Sequence, residues 1–175
     1  MSYSLDSSGI LDLFRYYPPD VFPTIWTQME VAASGGIVFA VDEVYRELER
    51  KDDTAFRWLK ARRSMIVAID AEIQKRVAAI LAAHPRLIDT RKNRSSGDPF
   101  VIGLAQARRL SVVTGERASG VIAKPNIPDV CTALGSAIAF PGHDVDTQSL
   151  QLALDDRQVA VVPDGDKGLA AAERK

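Results

Sequence analysis

The sequence predicts an α/β fold in which a central parallel β-sheet is flanked by helices on both faces, forming a three-layer sandwich. The main observation is that short apolar runs alternate with segments whose apolar residues recur every three or four positions. A second is the balance of 46% hydrophobic and 26% charged residues, which is typical of ordinary globular proteins. A third is the length of 175 residues, which favours one domain with a core of useful size.

Strands and helices alternate through the first half of the chain. Residues 3–5 predict the first strand, and Ser7 or Ser8 is suited to cap the helix that follows it. A second helix ends at the glycine pair 35–36. After it we expect a strand over 37–40, a helix over 42–50 that Asp42 caps, a charged helix over 54–65 and a helix that Asp70 caps.

The second half continues this alternation after a polar, basic loop over residues 85–97. Asp98 and Pro99 open a helix, since proline is tolerated at the first helical position. A strand over 110–114, a short helix over 128–134 and an apolar run over 137–140 follow. We expect the folded domain to cover residues 1–146, and residues 147–175 to form a C-terminal extension that is partly helical or disordered.

Charge, cysteine content and the N-terminal residues exclude several classes of protein. The formal net charge of −1 gives no overall attraction to nucleic acid, so any such binding must depend on local patches. Cys131 is the single cysteine, which excludes an internal disulfide and a zinc site built from several thiolates. The first residues lack the basic and apolar regions of a signal peptide, and no apolar run is long enough to span a bilayer. We expect a cytoplasmic protein without membrane contact.

Acidic side chains stand at the predicted boundaries between strands and helices. Asp6 ends the first strand, Glu116 follows a later strand, and the connecting helices carry Glu43, Glu47, Asp98 and Asp129. Ligand sites of open parallel sheets lie at the carboxyl ends of the strands. Carboxylates that meet there repel each other unless a cation is present, and Mg²⁺ or Mn²⁺ prefers such hard oxygen ligands. The pattern therefore favours metal-dependent hydrolysis of phosphodiesters.

Each of these acids also has a structural explanation that needs no metal. A carboxylate in such a position can cap a helix, stabilise a local turn, add a favourable charge to a helix N-terminus or simply face solvent. Asp98 can be a helix cap, and Asp6 and Glu116 can stabilise local turns. Asp129 can add a favourable charge to a helix N-terminus, and Glu43 and Glu47 can face solvent. The residues by themselves leave both interpretations open.

The order and spacing of the acids resemble the pattern of the PIN-domain nucleases. The matching segments are Ser4-Leu5-Asp6-Ser7-Ser8, Val44-Tyr45-Arg46-Glu47-Leu48, Asp98 with the helix running on to Ala105, and Val112-Val113-Thr114-Gly115-Glu116. Three further segments resemble a bacterial PIN-like subfamily: Tyr16-Tyr17-Pro18, Trp26 and the Ile-Pro-Asp-Val-Cys motif at residues 127–131. The resemblance covers about residues 3–142.

This resemblance implies a PIN-like fold and gives the acids their expected roles. It implies four catalytic metal ligands: Asp6, Glu47, Asp98 and Glu116. Asp129 is an additional candidate ligand at the edge of the site. The sequence departs from the pattern in two places, because Glu116 stands where PIN toxins usually carry aspartate and Ala118 replaces a further aspartate. The longer glutamate changes the metal geometry, and the loss of an acid weakens one metal position.

The reaction implied by the resemblance is hydrolysis of RNA by a water molecule that Mg²⁺ or Mn²⁺ activates. No residue looks like a covalent nucleophile or a ribonuclease-type histidine pair, so the products should carry 5′-phosphate and 3′-hydroxyl ends. Ser8 and Thr114 are expected to orient carboxylates by hydrogen bonds. Basic residues near the acids are expected to contact the RNA backbone: Arg91, Lys92, Arg94 and Arg117.

The resemblance also implies protein partners. PIN proteins of this size are similar to the toxins of bacterial toxin–antitoxin modules, in which a small antitoxin covers the active site, and the family tends to form homodimers. Two other functions stay open on the residues. One is an aspartate-dependent phosphatase, although Ser8 stands where a second aspartate usually acts as the general acid. The other is a non-catalytic α/β module that binds a protein through Trp58 and its basic neighbours.

Overall fold

A parallel five-stranded sheet forms the centre of the protein. The computed structural model describes residues 2–50, 54–88, 96–121 and 123–139. The strands are β1 Tyr3–Leu5, β2 Val38–Val41, β3 Ile66–Val67, β4 Ser111–Val113 and β5 Ile138–Ala139. Their order across the sheet is β3-β2-β1-β4-β5, and every neighbouring pair is parallel. The chain therefore begins in the middle of the sheet, with β2 on one side of β1 and β4 on the other.

Helices connect the strands and fall into two packing groups. They are α1 Ser7–Tyr16, α2 Pro23–Ser34, α3 Asp42–Glu49, α4 Thr54–Lys60, α5 Ala71–Ala83, α6 Asp98–Arg108 and α7 Ile127–Ala133, with a 3₁₀ turn at Arg63–Met65. Helix α6 packs on β1, β2 and β4 and contacts α5 and α7, whereas α3 packs on β2 and β3 and contacts α1 and α4. The predicted α/β class, with a parallel sheet flanked by helices, is confirmed and is consistent with a three-layer sandwich.

The core explains why the strands are short runs of apolar residues. Strand residues such as Leu5, Val38 and Val112 are almost fully buried, as expected when both faces of a parallel sheet are covered. Close packing of α5 against α6 depends on Gly103, because a Cβ there would lie 2.9 Å from Cγ2 of Val77. No helix in the described part of the chain is long and apolar enough to cross a membrane.

Several predicted boundaries differ from the structure. The single helix expected over 54–65 is wrong, because α4 ends at Lys60 and is followed by the 3₁₀ turn and by β3. A strand of two residues at the edge of the sheet is too short to show alternation in the sequence. Asp42 is the first residue of α3 and forms no side-chain cap bond, whereas Asp70 caps α5 by accepting a hydrogen bond of 2.9 Å from the Ile73 N–H.

The remaining predictions about organisation fall on residues that are not described. The C-terminal extension over 147–175 and the domain boundary at 146 lie outside the described residues, which end at Ala139.

Candidate active site

The topology places the candidate acids at one edge of the sheet. Strands β2, β1 and β4 are neighbours and run in the same direction, so their carboxyl ends meet at that edge. Asp6 directly follows β1, and Glu116 comes three residues after β4 ends. Glu47 lies on α3, the helix that begins where β2 ends. We call this set, Asp6, Glu47 and Glu116 together with Asp98, the acidic edge.

Two hydroxyl groups hold the Asp6 carboxylate. The Ser8 hydroxyl donates to Oδ2 of Asp6, and Oγ1 of Thr114 donates to the same oxygen at 3.1 Å. The two hydroxyl oxygens also accept hydrogen bonds from the backbone. Oγ of Ser8 accepts the Gly115 N–H at 3.0 Å, and Oγ1 of Thr114 accepts the Glu116 N–H at 3.1 Å. Hydroxyl bonds to a carboxylate are thus present, as predicted for Ser8 and Thr114. They link the end of β1 to the loop after β4, while Oδ1 of Asp6 is not held by either hydroxyl.

Asp6 is also the cap of the first helix. Its Oδ2 accepts a hydrogen bond of 3.2 Å from the Ser8 N–H, so the cap of α1 is Asp6 and the prediction of Ser7 or Ser8 is wrong. Only 4% of Asp6 is exposed. Burial raises the pKa of this carboxyl, and the bonds from Ser8, Ser7 and Thr114 lower it without bringing it back to its usual value. One side chain thus caps α1 and also lies at the acidic edge.

Glu116 is half-buried and faces negative charge. Burial is the main reason that its pKa is raised, and the carboxylates of Asp6, Glu47 and Asp129 raise it further. The Ile127 N–H at the start of α7 donates to Oε2 of Glu116 at 3.0 Å and opposes this shift. Glu116 therefore lies within electrostatic reach of three other predicted ligands.

The Glu47 carboxylate lies beside Gly97, the residue that precedes Asp98. A Cβ on Gly97 would lie 3.4 Å from Oε2 of Glu47, which places this carboxylate beside the N-terminus of α6. Asp98 is buried and is the first residue of α6, while the cap position belongs to Gly97 and has no side-chain cap bond. By contrast, Glu43 forms an ion pair with Arg46 on the same helix, which agrees with its surface interpretation.

Asp129 stabilises the loop between β4 and α7. Its carboxylate accepts N–H groups from Ser119 at 2.8 Å, from Gly120 at 3.0 Å and from Asn126 at 2.8 Å. Partial desolvation disfavours the charged form, but the three N–H bonds outweigh it and lower the pKa of Asp129 to about 2. With Asn126 it forms a capping box at the start of α7. The metal role of Asp129 stays a prediction, and the observed contacts give the residue a structural role.

Asp12 was missed by the sequence analysis. A Cβ on Gly115 would lie 2.2 Å from Oδ2 of Asp12 and 3.2 Å from the Ser8 carbonyl oxygen. The Asp12 carboxylate therefore rests against the backbone of the loop that carries Thr114 and Glu116. The available signal was its spacing of four residues from Ser8, which places both side chains on one face of α1.

Ion pairs are missing at three acids of the acidic edge in the described part of the chain. Among residues 2–50, 54–88, 96–121 and 123–139, no lysine, arginine or histidine forms an ion pair with Asp6, Glu47 or Glu116. Within the same ranges, no group of three or more His, Cys, Asp or Glu side chains is close enough to hold a metal ion as the side chains stand. The acids share an edge and repel each other, but they do not form a closed ligand cluster.

The predicted RNA-contacting residues are only partly visible. Arg91, Lys92 and Arg94 lie outside the described residues. Arg117 is exposed, and its carbonyl oxygen accepts a hydrogen bond of 2.9 Å from Nδ2 of Asn126, which fixes its backbone close to Glu116.

Cys131 is fully buried, and burial raises the pKa of its thiol to about 12, which agrees with an inert core residue.

Comparisons with known proteins identify a family without an assigned activity. No curated protein and no solved structure matched the chain. One family model, described as "Domain of unknown function (DUF4411)", matches residues 3–139. The match extends from β1 to β5 and includes every acid of the acidic edge. Because it covers well over half of the sequence, the chain belongs to the DUF4411 family.

Proposed function

We propose that this protein is a metal-dependent endoribonuclease that hydrolyses RNA phosphodiester bonds. One observation carries the proposal: Asp6, Glu47 and Glu116 gather at the carboxyl edge of adjacent parallel strands without a described countercharge. Carboxylates in that arrangement cost stability unless a cation binds between them. The known position of ligand sites in such sheets supports the same interpretation.

The donor set fits a hard divalent cation. All four side chains of the acidic edge offer carboxylate oxygens, the ligands that Mg²⁺ and Mn²⁺ prefer. Glu47 and Glu116 are half-buried and long, so rotation about their side-chain bonds can bring their oxygens towards the better fixed Asp6. Asp6, Glu47, Asp98 and Glu116 would hold the Mg²⁺ or Mn²⁺ ion, which would supply an activated water and charge stabilisation for phosphodiester hydrolysis.

The residues of the chain then have distinct tasks. Ser8 and Thr114 hold one oxygen of Asp6 and so fix the direction of the carboxylate. The Ile127 N–H holds Glu116 at the start of α7. Arg117 is exposed one residue further on, and we expect it to contact a phosphate of the substrate.

The choice of RNA as substrate depends on the resemblance to PIN nucleases. The same is true of the toxin role, the antitoxin partner, the homodimer and the cytoplasmic location, all of which we retain as parts of the proposal. The alternative of a protein-binding module that uses Trp58 is less favoured, because Trp58 is buried and its Nε1 donates to Glu30 at 3.1 Å.

Purified protein incubated with RNA, Mn²⁺ or EDTA tests the function. We expect cleavage in Mn²⁺, none in EDTA, and products with 5′-phosphate and 3′-hydroxyl ends. Asp6→Asn and Glu116→Gln should each lower the rate by at least about 100-fold. Glu72→Gln is the matched control, because Glu72 is an exposed carboxylate on α5 that pairs with Arg76.

Four outcomes would contradict the proposal. Cyclic phosphate ends or full activity in EDTA would exclude the mechanism. Release of phosphate from small esters, without RNA cleavage, would favour the aspartate-dependent phosphatase. Absence of both activities in Mg²⁺ and Mn²⁺ would favour a non-catalytic binding module.

A further inference from the structure

A cavity of about 360 Å³ is lined by two segments of the chain that are far apart in sequence. One wall is the turn after α5, and the other is the loop before α7. The lining residues are Ala83, His84, Pro85, Arg86, Ala123 and Pro125. Its volume is at the lower end of the range for small-molecule sites, so it can accept a group about the size of one flat ring system.

The walls combine apolar surface with cationic groups. Two prolines and two alanines offer rigid or small apolar contacts, and His84 adds an aromatic ring. Arg86 is exposed and forms no ion pair with any described residue. Lys124, also exposed, stands between the two lining residues of the second wall. An apolar cavity with cations at its rim suits a planar ring that carries a neighbouring negative charge.

The backbone on both sides of the cavity is fixed. At the end of α5, the His84 N–H donates to the Ile80 carbonyl oxygen at 2.7 Å, and the His84 carbonyl oxygen accepts the Leu87 N–H at 3.1 Å. On the other wall, Pro125 precedes Asn126, whose N–H and side chain are both hydrogen-bonded within the loop. Hydrogen bonds therefore hold the backbone of both walls of the cavity in place.

The second wall is connected directly to the acidic edge. Two residues after Pro125, the Ile127 N–H donates to Oε2 of Glu116. A nucleic-acid strand that occupies the cavity would thus contact the same loop that positions Glu116. This connection argues for an occupant that reaches the acidic edge, such as a further nucleotide of the substrate.

We propose that this cavity binds one unpaired nucleobase of a single-stranded nucleic acid, with an adjacent phosphate on Arg86. This inference rests on the proposed nuclease function, because it identifies the occupant as part of the substrate strand. Bases stack on flat side chains whatever their sequence, and arginine binds phosphate oxygens in a bidentate manner. The cavity therefore favours single strands over duplexes, whose bases are not available for insertion.

Binding measured without metal tests the cavity separately from catalysis. The probe is a fluorescein-labelled 12-nucleotide RNA in EDTA, followed by anisotropy at one fixed salt concentration. We expect Arg86→Ala and His84→Ala each to weaken binding by about fivefold or more. Arg57→Ala, which removes an exposed arginine from α4 in the other helix group, should change the affinity by less than about twofold.

A second pair of measurements isolates the base from the charge. Ala123→Trp fills the cavity without changing the net charge, and it should weaken binding of the single strand while leaving the weak binding of the duplex unchanged. Replacing nucleotides of the probe by abasic sites should weaken binding to the wild type and have a smaller effect on His84→Ala. Circular dichroism and the melting temperature check that each variant is folded.

The outcomes separate this inference from the proposed function. Equal losses for Arg86→Ala and Arg57→Ala, or no effect of the abasic probe, would overturn the base site even if Mn²⁺-dependent cleavage is found. Conversely, base-dependent binding in EDTA would support the cavity even if no cleavage is found. Tight binding of an acidic peptide at the same residues, with no RNA binding, would also refute the proposal.

Discussion

Two sets of carboxylates in this molecule are compensated in opposite ways. In the first, Glu30 on α2 carries its own countercharge. Nε of Arg62 donates to Oε2 of Glu30 at 2.6 Å, a second guanidinium nitrogen donates to Oε1, and Nε1 of Trp58 donates to Oε1 at 3.1 Å. The guanidinium lies 4.6 Å above the ring of Trp58, whose other neighbours include Trp26. This pair joins α2 to the segment after α4 and has no need of a ligand.

The acidic edge is the second set, and its compensation is incomplete. Asp6 receives hydroxyl and backbone bonds, and Glu116 receives one N–H, but no cation of the described residues pairs with either. Carboxylates that are withdrawn from solvent without a paired cation are typical of ligand-binding sites. The difference separates a carboxylate that stabilises the fold from carboxylates that, on the proposed function, would hold a cation.

The largest expected effect is stabilisation by divalent ions. Mn²⁺ at one hundred times its dissociation constant should raise the free energy of unfolding by about 2.7 kcal/mol, because the ion binds the folded state alone. Differential scanning calorimetry with and without EDTA measures it. Asp6→Asn should lose most of the shift, whereas Glu30→Gln should retain it. A shift of equal size in Asp6→Asn would place the ion elsewhere.

A second prediction concerns the close contact between Gly115 and Asp12, beside the acidic edge. Gly115→Ala should lower the free energy of unfolding by about 1–3 kcal/mol, because the new Cβ would collide with Oδ2 of Asp12. The double variant Gly115→Ala with Asp12→Ala should recover part of the loss, since the colliding atom is gone. Urea unfolding measures both. Strict additivity of the two single changes would show that Asp12 does not contact this loop.

Removing one carboxylate from each set should have different effects on stability. Glu30→Gln should lower the free energy of unfolding by about 1–2 kcal/mol, because the charged bonds from Arg62 and Trp58 are weakened. Glu47→Gln in EDTA should leave stability unchanged or raise it slightly, since it relieves repulsion with Glu116. Both are measured by urea unfolding under the same conditions. A large loss for Glu47→Gln would mean that the residue supports the fold.

The smallest effect concerns Asp129, which N–H groups compensate without a cation. Its pKa of about 2 lies below the ordinary value of 3.8, so the stability it contributes is present above about pH 4 and is lost as the pH falls towards 2. Denaturant midpoints between pH 2 and 5 should therefore fall less steeply in Asp129→Asn than in the wild type. If the denaturant midpoints of the two proteins fell equally steeply with pH, the three N–H bonds would not act on this carboxylate.

The sequence was sufficient to predict the sheet and its central strands. Apolar runs such as 110–114 must be buried in a parallel sheet, and the acids that follow them must reach its carboxyl edge. The edge strand β3 was missed because two residues carry no periodicity. The cap of α1 was assigned to a serine, although aspartate is an equally good cap and stood one residue earlier.

The finer state of the candidate site was beyond the sequence for a physical reason. Whether Asp129 meets a metal or backbone N–H groups depends on how the loop 117–126 closes, and this closure comes from long-range packing. The same holds for Trp58, whose residue type fits both a core position and an exposed binding surface. Asp12 was missed because its partner is a glycine backbone, which leaves no complementary side chain to recognise in the sequence.

The double role of Asp6 has an evolutionary consequence. Asparagine caps a helix about as well as aspartate, so a gene copy that mutates from Asp6 to Asn keeps the start of α1 while losing the carboxylate that the proposed function needs. Alanine at the same place removes the cap as well as the ligand. On the proposed function, duplicated copies that lose hydrolysis therefore have a route that preserves the folded chain. Such inactive but intact descendants are available for selection as binding proteins.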